Sequence, residues 1–334
     1  MTILVTGGCG FIGSNFIHRV LETTNETVIN VDSLTYAGNE SNHQENSRYK
    51  LYKTDINGKN VIKTIINEHK PWAIVHFAAE SHVDNSIKDS SPFLHSNVMG
   101  TVSLLEVIRK YSPEIRFVHV STDEVYGSLN VGDPAFTETT GYDPRSPYSA
   151  SKAASDHFVN AYHHTHKLNT VITNCSNNYG PYQYPEKFIP VIISKALRNE
   201  KIPVYGAGAN IRDWLYVRDH CDAILRVMVD GKSGEKYNIG GNNEHTNLMV
   251  VGKILTILDK KLDLISFVED RKGHDFRYSI DNTKIKKELG WEPSVSFDDG
   301  LYNTVKWYID NQNWLNMVIN NGKNFRDNSS RRKI

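Results

Sequence analysis

The sequence lacks the cysteine pattern of a disulfide scaffold or a zinc site. Cys9, Cys175 and Cys221 are odd in number, far apart and contain no CxxC pair, so no metal is expected. Such usage suits a reducing compartment. The chain enters a strand pattern at once with Ile3-Leu4-Val5, with no charged leader and apolar core before it, so a cytoplasmic protein is expected. No apolar run is long enough to span a bilayer. Neither sign of charge dominates, with 38 Lys plus Arg against 38 Asp plus Glu. That balance argues against attachment to nucleic acid or an anionic membrane by bulk charge, and leaves room for a local basic pocket that takes an anionic small molecule. There is no internal repeat and no low-complexity tract.

What is present is strand–helix alternation. Thr2–Thr6, Thr27–Val31, Trp72–Phe77, Arg116–Ser121 and Thr170–Asn174 read as buried strands rich in Val and Ile. Ser14–Thr23, Lys59–His69 and Phe93–Tyr111 read as helices between them. The alternation predicts an α/β fold, a Rossmann-type doubly wound parallel sheet. After about Asn177 the segments lengthen and carry more Pro and Tyr, which predicts a smaller C-terminal α/β lobe over the open end of the sheet. The expected division is a mainly dinucleotide-binding part over 1–176, a mainly substrate-binding lobe over 177–320 with segments returning to the sheet, and a tail over 321–334.

Three stretches carry chemistry. Gly7, Gly10 and Gly13 form GxxGxxG directly after a strand and before a helix, where glycines allow a tight turn and backbone N–H groups approach a pyrophosphate. Asp32 ends the second strand 19 residues after Gly13, placed to accept hydrogen bonds from ribose hydroxyls and to favour NAD over NADP. Asp55-Ile56, after the third strand, either flanks the adenine or forms a turn. Tyr148 and Lys152 stand at i and i+4 of a helix, on one face; a nearby Lys⁺ and a nicotinamide charge would lower the phenol pKa and make it a base near neutrality. Between these motifs, Thr122, Asp123 and Glu124 sit at the carboxyl end of a strand, where open α/β sheets place ligands. Adjacent carboxyls in a dry pocket can separate their pKa values, one serving as acid and one as base, and elimination of water needs that division. A solvated Asp-Glu pair is the plainer alternative.

Taken together, these stretches resemble the dTDP-glucose 4,6-dehydratase family of the extended short-chain dehydrogenases. The resemblance runs from Ile3 to about Trp314. It includes Phe77-Ala-Ala-Glu-Ser-His-Val-Asp84, Ser121-Thr-Asp-Glu-Val-Tyr-Gly127, Pro147-Tyr-Ser-Ala-Ser-Lys152, Cys175-Ser-Asn-Asn-Tyr-Gly-Pro-Tyr182 and Arg212-Asp-Trp214. The Thr-Asp-Glu triplet separates this family from its epimerase relatives. The resemblance implies a tightly bound NAD recycled at every turnover. It implies that Tyr148 takes the O4 proton, assisted by Thr122 and Lys152, that Glu124 takes the C5 proton, and that Asp123 protonates the leaving O6. It extends the NAD site to Phe11, Ile12, Leu34, Thr35, Ala78, Ala79, Ser81, Ser96 and Asn178. It places His82, Asn177, Lys187, Phe188, Pro203, Tyr205, Arg212, Asn247, Arg271 and His274 with Thr122 against the nucleotide sugar. A homodimer is implied through the Tyr148 helix and the one before it, for which Phe158, Val159 and Ala161 are available, although they could equally face the sheet. The same reaction on UDP-glucose or UDP-N-acetylglucosamine, a nucleotide-sugar 4-epimerase, and a non-catalytic NAD-binding regulator are the alternatives.

Overall fold

The computed structural model describes residues 1–270 and 275–320. Arg271, His274 and the tail 321–334 lie outside the described residues. Twelve strands follow in order: β1 (Thr2–Thr6), β2 (Thr27–Asp32), β3 (Tyr49–Lys53), β4 (Ala73–His76), β5 (Arg116–Thr122), β6 (Thr170–Cys175), β7 (Asn177–Tyr179), β8 (Ile202–Tyr205), β9 (Ile211–Tyr216), β10 (Lys236–Ile239), β11 (Glu244–Thr246) and β12 (Ile265–Val268). Seven of them form one sheet in the order β10-β6-β5-β4-β1-β2-β3, and every pair in it is parallel. β1, β4, β5 and β6 are Val- and Ile-rich and almost wholly buried, as strands covered by helices on both faces must be. One face packs Phe16, Ile17 and Val20 of the first helix with Ile224 and Val227; the other packs Ile62, Ile65 and Ile66 with Leu104 and Ile108.

The chain runs outward from β1 to β2 and β3, then restarts on the other side with β4. The crevice between the ends of β1 and β4 is therefore the topological switch point, the place where such sheets bind ligands. β7, β9 and β11 form a second sheet, and β8 and β12 a third, around a separate core that includes Ile189, Ile193, Trp214, Val250 and Phe297.

Two local features differ from the sequence reading. The helix expected over Phe93–Tyr111 is broken by a π-helical turn, Leu94–Gly100, before the α-helix Thr101–Tyr111. The edge strand β3, Tyr-Lys-Leu-Tyr-Lys, has no clear apolar pattern; its exposed residues are Lys50 and Lys53, charges of the kind that blunt an edge strand.

Candidate active site

The site starts at the turn after β1. Gly7 has φ +72°, and a Cβ there would fall 2.5 Å from the Ala78 backbone nitrogen. A Cβ on Gly13 would fall 2.4 Å from the Gly7 carbonyl oxygen. Both positions need glycine because backbone passes against backbone. Gly10 is the N-cap of the helix Phe11–Thr23 and no side chain caps it, so its first N–H groups remain directed at whatever lies before the helix. Gly10 itself lines no cleft. Asp32 spends two of its lone pairs on the same turn, accepting from the Cys9 N–H at 2.9 Å and the Leu34 N–H at 2.8 Å. Burial pushes this carboxyl up from the ordinary Asp value, against the pull of those two bonds. A carboxylate has about four acceptor positions, so Asp32 can brace the turn and still accept from a ribose. Leu34, at φ +52°, takes part through its amide and its side chain does not line the cleft.

Three connected clefts open along the carboxyl ends of the strands. One, of about 220 Å³, is bordered by Asp32, Thr35, Asp55, Ile56, Ala78 and Ser96. It shares Gly7 and Ala79 with a second, of about 260 Å³, lined by Phe11, Ile12, Gly13, Thr122, Asp123, Tyr148 and Lys152. That cleft shares Ser81, Glu124, Asn177, Asn178 and Lys187 with a third, of about 330 Å³, where His82, Phe188, Pro203, Tyr205, Arg212 and Asn247 stand. Apart from Gly10 and Leu34, and from Arg271 and His274 outside the described residues, the expected residues fall along one channel. The uncapped helix terminus, the close-packed glycines and the free acceptor capacity of Asp32 fit a dinucleotide on the first two clefts.

The π-helical turn explains how one wall is held. Asn97, inside it, accepts from the Glu80 N–H at 2.9 Å and donates to the Glu80 carbonyl at 3.0 Å, as a neighbouring strand would. Its amide also donates to Ser151 Oγ at 2.8 Å, tying the Ala78–Ser81 segment to the helix Pro147–His166. π-turns in helices often mark functional sites. That second helix starts sharply: Pro147 stands at its first position and Ser146 and Ser149 form a capping box. Tyr148 and Lys152 are consequently fixed one turn apart, both facing the sheet and 8% and 4% exposed.

Asp123 is 2% exposed. Burial, then the Glu124 charge and then Asp213, push its carboxyl well above the ordinary Asp value. The division expected of the two neighbouring carboxyls is therefore built in on the Asp123 side, and the plain solvated pair does not describe it. Thr122 Oγ1 lies 3.3 Å from both Asp123 Oδ1 and the Glu124 nitrogen, capping the turn that carries them.

The phenol behaves differently from expectation. Burial, followed by the Glu124 charge, pushes Tyr148 well above its ordinary value. Lys152 does not bond the phenol; its Nζ donates to the Val120 carbonyl at 2.9 Å, and burial pulls its pKa down. The protein's own groups hold Tyr148 protonated, so lowering it falls to charge brought by what binds beside it. At the far end Arg212 is held rigid, donating to the Asp275 carbonyl at 2.9 Å and lying 4.5 Å over the Tyr278 ring.

Several lining residues escaped the sequence reading. Tyr36 donates to Glu186 Oε1 at 2.7 Å across the channel, and Tyr278, Cys175 and Gln183 also border it. Tyr36 and Glu186 are 150 positions apart, and no local pattern joins them.

Residues 4–304 match the family model described as GDP-mannose 4,6 dehydratase. A dTDP-glucose 4,6-dehydratase of Salmonella typhimurium is 49% identical over 344 residues, covering 95% of each chain. The crystal structure of dTDP-glucose 4,6-dehydratase from Bacillus anthracis, in complex with NAD, is 49% identical, with a TM-score of 0.89 over 95% of this chain and 99% of that one. The enzyme of the same name from Streptomyces venezuelae, also with NAD bound, is 46% identical with a TM-score of 0.92 over 95% and 100%. With such identity over nearly the whole of both chains, the chain belongs to the dTDP-glucose 4,6-dehydratase family.

Proposed function

We propose that the protein eliminates water from dTDP-glucose to give dTDP-4-keto-6-deoxyglucose. The observation that carries this reading is Asp123, a buried carboxyl held protonated next to Glu124 and in one cleft with Tyr148 and Lys152. Bound NAD supplies the hydride acceptor for C4 and the hydride donor for C6, and its positive nicotinamide lowers the phenol that burial has raised. Tyr148 Oη takes the O4 proton while Thr122 Oγ1 holds O4 in place. A ketone at C4 acidifies the C5 proton, which a Glu124 carboxylate oxygen accepts. Asp123 gives its proton to O6, which leaves as water; as hydride returns to C6, Glu124 gives a proton to C5, so over the cycle the proton lost from Asp123 is offset by the one gained at Tyr148. Lys152 places a positive charge beside the phenol from its anchor on Val120.

Arg212 is suited to the diphosphate because its guanidinium is planar, offers paired donors and is already fixed. Asn177 and Lys187 face the sugar, His82 borders it, and Phe188, Pro203, Tyr205 and Asn247 form the nucleoside end of the third cleft. Residues 1–176 then serve mainly the dinucleotide and 177–320 mainly the sugar nucleotide.

No helix among the described residues is long and apolar enough to cross a membrane. The three cysteines are buried and unpaired, which supports a cytoplasmic setting. A homodimer is supported by apolar side chains left exposed on the expected face: Phe158 at 41%, with Leu94 and Met99 on the preceding segment. Val159 is fully buried in the sheet-facing core and takes no part. Sedimentation of wild type against Phe158→Glu tests it, a shift to the monomer being expected.

The function is tested by incubating the purified protein, without added NAD, with dTDP-glucose, UDP-glucose and UDP-N-acetylglucosamine separately. Loss of one water, fastest from dTDP-glucose, is the expected result. Faster loss from a UDP sugar would move the substrate, and no loss even with NAD supplied would overturn the reading.

A further inference from the structure

Beneath the reacting groups lies a charged residue that the chemistry above does not use. Asp156 is 1% exposed, one turn beyond Lys152 and two beyond Tyr148 on the same sheet-facing side of the helix. Its Oδ2 accepts from Tyr142 Oη at 2.8 Å and from Asn174 Nδ2 at 3.1 Å, and its Oδ1 lies 3.2 Å from His119 Nε2. The same Asn174 Nδ2 donates to the Thr122 carbonyl oxygen at 3.1 Å. One amide group therefore links the carboxylate to the strand end that carries Thr122, Asp123 and Glu124.

We propose that Asp156 is a positioning residue for oxidation at C4: it balances the buried Lys152 ammonium and, through Asn174, fixes the Thr122 end of β5. This rests on the function proposed above.

Two independent observations support the role. Burial of an ammonium favours its neutral form, and Lys152 has one protein oxygen within bonding distance, the Val120 carbonyl. The charge of Asp156 is the leading influence that opposes the effect of burial on Lys152. Burial pushes the Asp156 carboxyl up, but the neighbouring His119, 3.2 Å away, and then Lys152 outweigh this and leave it below the ordinary Asp value. His119, fully buried and pulled down to about 4, is neutral near neutrality. Asp156 stands one helical turn from Lys152 on the same buried face, so its influence on the ammonium acts through space. Secondly, an isolated carboxylate in such a core is costly. Two of the connections of Asp156 lead to the reacting groups, one by charge and one by the Asn174 bridge.

The step affected is oxidation, in which a hydride leaves C4 for the bound NAD and the O4 proton passes to Tyr148, with Lys152 and Thr122 setting the geometry. Elimination by Asp123 and Glu124 follows; Lys152 takes no part in it, and the bridge holds the Thr122 carbonyl rather than either carboxyl, so loss of Asp156 should slow the first step most.

The test is Asp156→Asn in the holoenzyme, with dTDP-glucose deuterated at C4 or at C5. The expected result is a kcat lowered about 10-fold or more, a KM within about 3-fold of wild type, and a C4 isotope effect about twofold larger, with no larger effect at C5. Bound NAD per chain and the melting curve should remain close to wild type. A protein that is partly misfolded loses active molecules and leaves both isotope effects unchanged, so that outcome, or a wild-type rate, overturns the proposal. If Asp156→Asn does not accumulate as folded protein, Asn174→Ala decides, since it cuts the bridge and leaves the carboxylate. It should show the same selective C4 effect, and an unchanged C4 effect overturns the proposal. A wild-type protein that turns over no sugar nucleotide would instead sink the function on which the inference rests.

Discussion

Lys152 Nζ donates to the Val120 carbonyl oxygen at 2.9 Å, so the ammonium one turn beyond Tyr148 is tied to the strand from whose end Thr122, Asp123 and Glu124 project. The helix and the strand are thereby registered to each other at the reacting centre. Lys152→Met keeps most of the packing and removes the charge and the tie. Its kcat should fall by about 100-fold or more while dTDP-glucose still binds, because the lost interaction is with the proton acceptor and not with the nucleotide. Steady-state kinetics and equilibrium binding of the sugar nucleotide, measured together, check this.

Asp123→Asn should separate the chemistry into its parts. Oxidation at C4 does not need this carboxyl, so reduced cofactor absorbing near 340 nm should accumulate on mixing with dTDP-glucose while water loss slows by about 100-fold or more. An epimerase would survive the substitution.

The same residue fixes a pH dependence. An acid must be protonated to act, and an unperturbed Asp is ionised above about pH 3.9. Burial and the Glu124 charge raise Asp123 well above that, so the acid form persists to higher pH. Elimination should fail on the alkaline side, as pH rises through the raised value, and the residual rate of Asp123→Asn should lack that limb. Rates of water loss across pH, with folding monitored in parallel, test it.

Stability should fall on the acid side for a separate reason. His119 is pulled down to about 4 and His220 to about 3, both by burial. In the unfolded chain each takes a proton near pH 6.5, in the fold only near its depressed value. The sign follows: their contribution is intact above about pH 6.5 and is lost as pH falls toward 4, at up to about 1.4 kcal/mol per pH unit for each. Denaturant melts at several pH values should show a shallower decline for His220→Gln.

Gly7→Ala places a Cβ against the Ala78 backbone from a φ of +72°, and neither side can yield. The expected cost is about 1–3 kcal/mol of stability, with little NAD retained through purification. Melting and cofactor content of the purified variant measure both.

Much of this was legible in the sequence because it is local. β1 and the helix Lys59–His69 have the bounds read from their apolar periodicity, and the glycine turn, Tyr148–Lys152 and Thr122–Glu124 announce themselves as short motifs. What was not legible depends on distant residues. The π-turn around Asn97 is chosen by its bonds to Glu80, 17 residues away, and not by helix propensity. The Tyr36–Glu186 bond, the Arg212–Tyr278 stack and the Asp156–Asn174–Thr122 bridge exist only once the sheet has assembled. Tyr148 marks a further boundary: the motif singles out the phenol, but its ionisation depends on burial that no spacing reveals.

The measurement that tests the central claim most directly follows one hydrogen. dTDP-glucose carrying deuterium at C4 is converted by the holoenzyme, and the product is examined by NMR and mass spectrometry. The account predicts that the label leaves C4 and appears on the C6 methyl group, with no loss to solvent, while a run in heavy water places one solvent deuterium at C5. Label returned to C4 with the configuration inverted, or label lost to solvent, would contradict it.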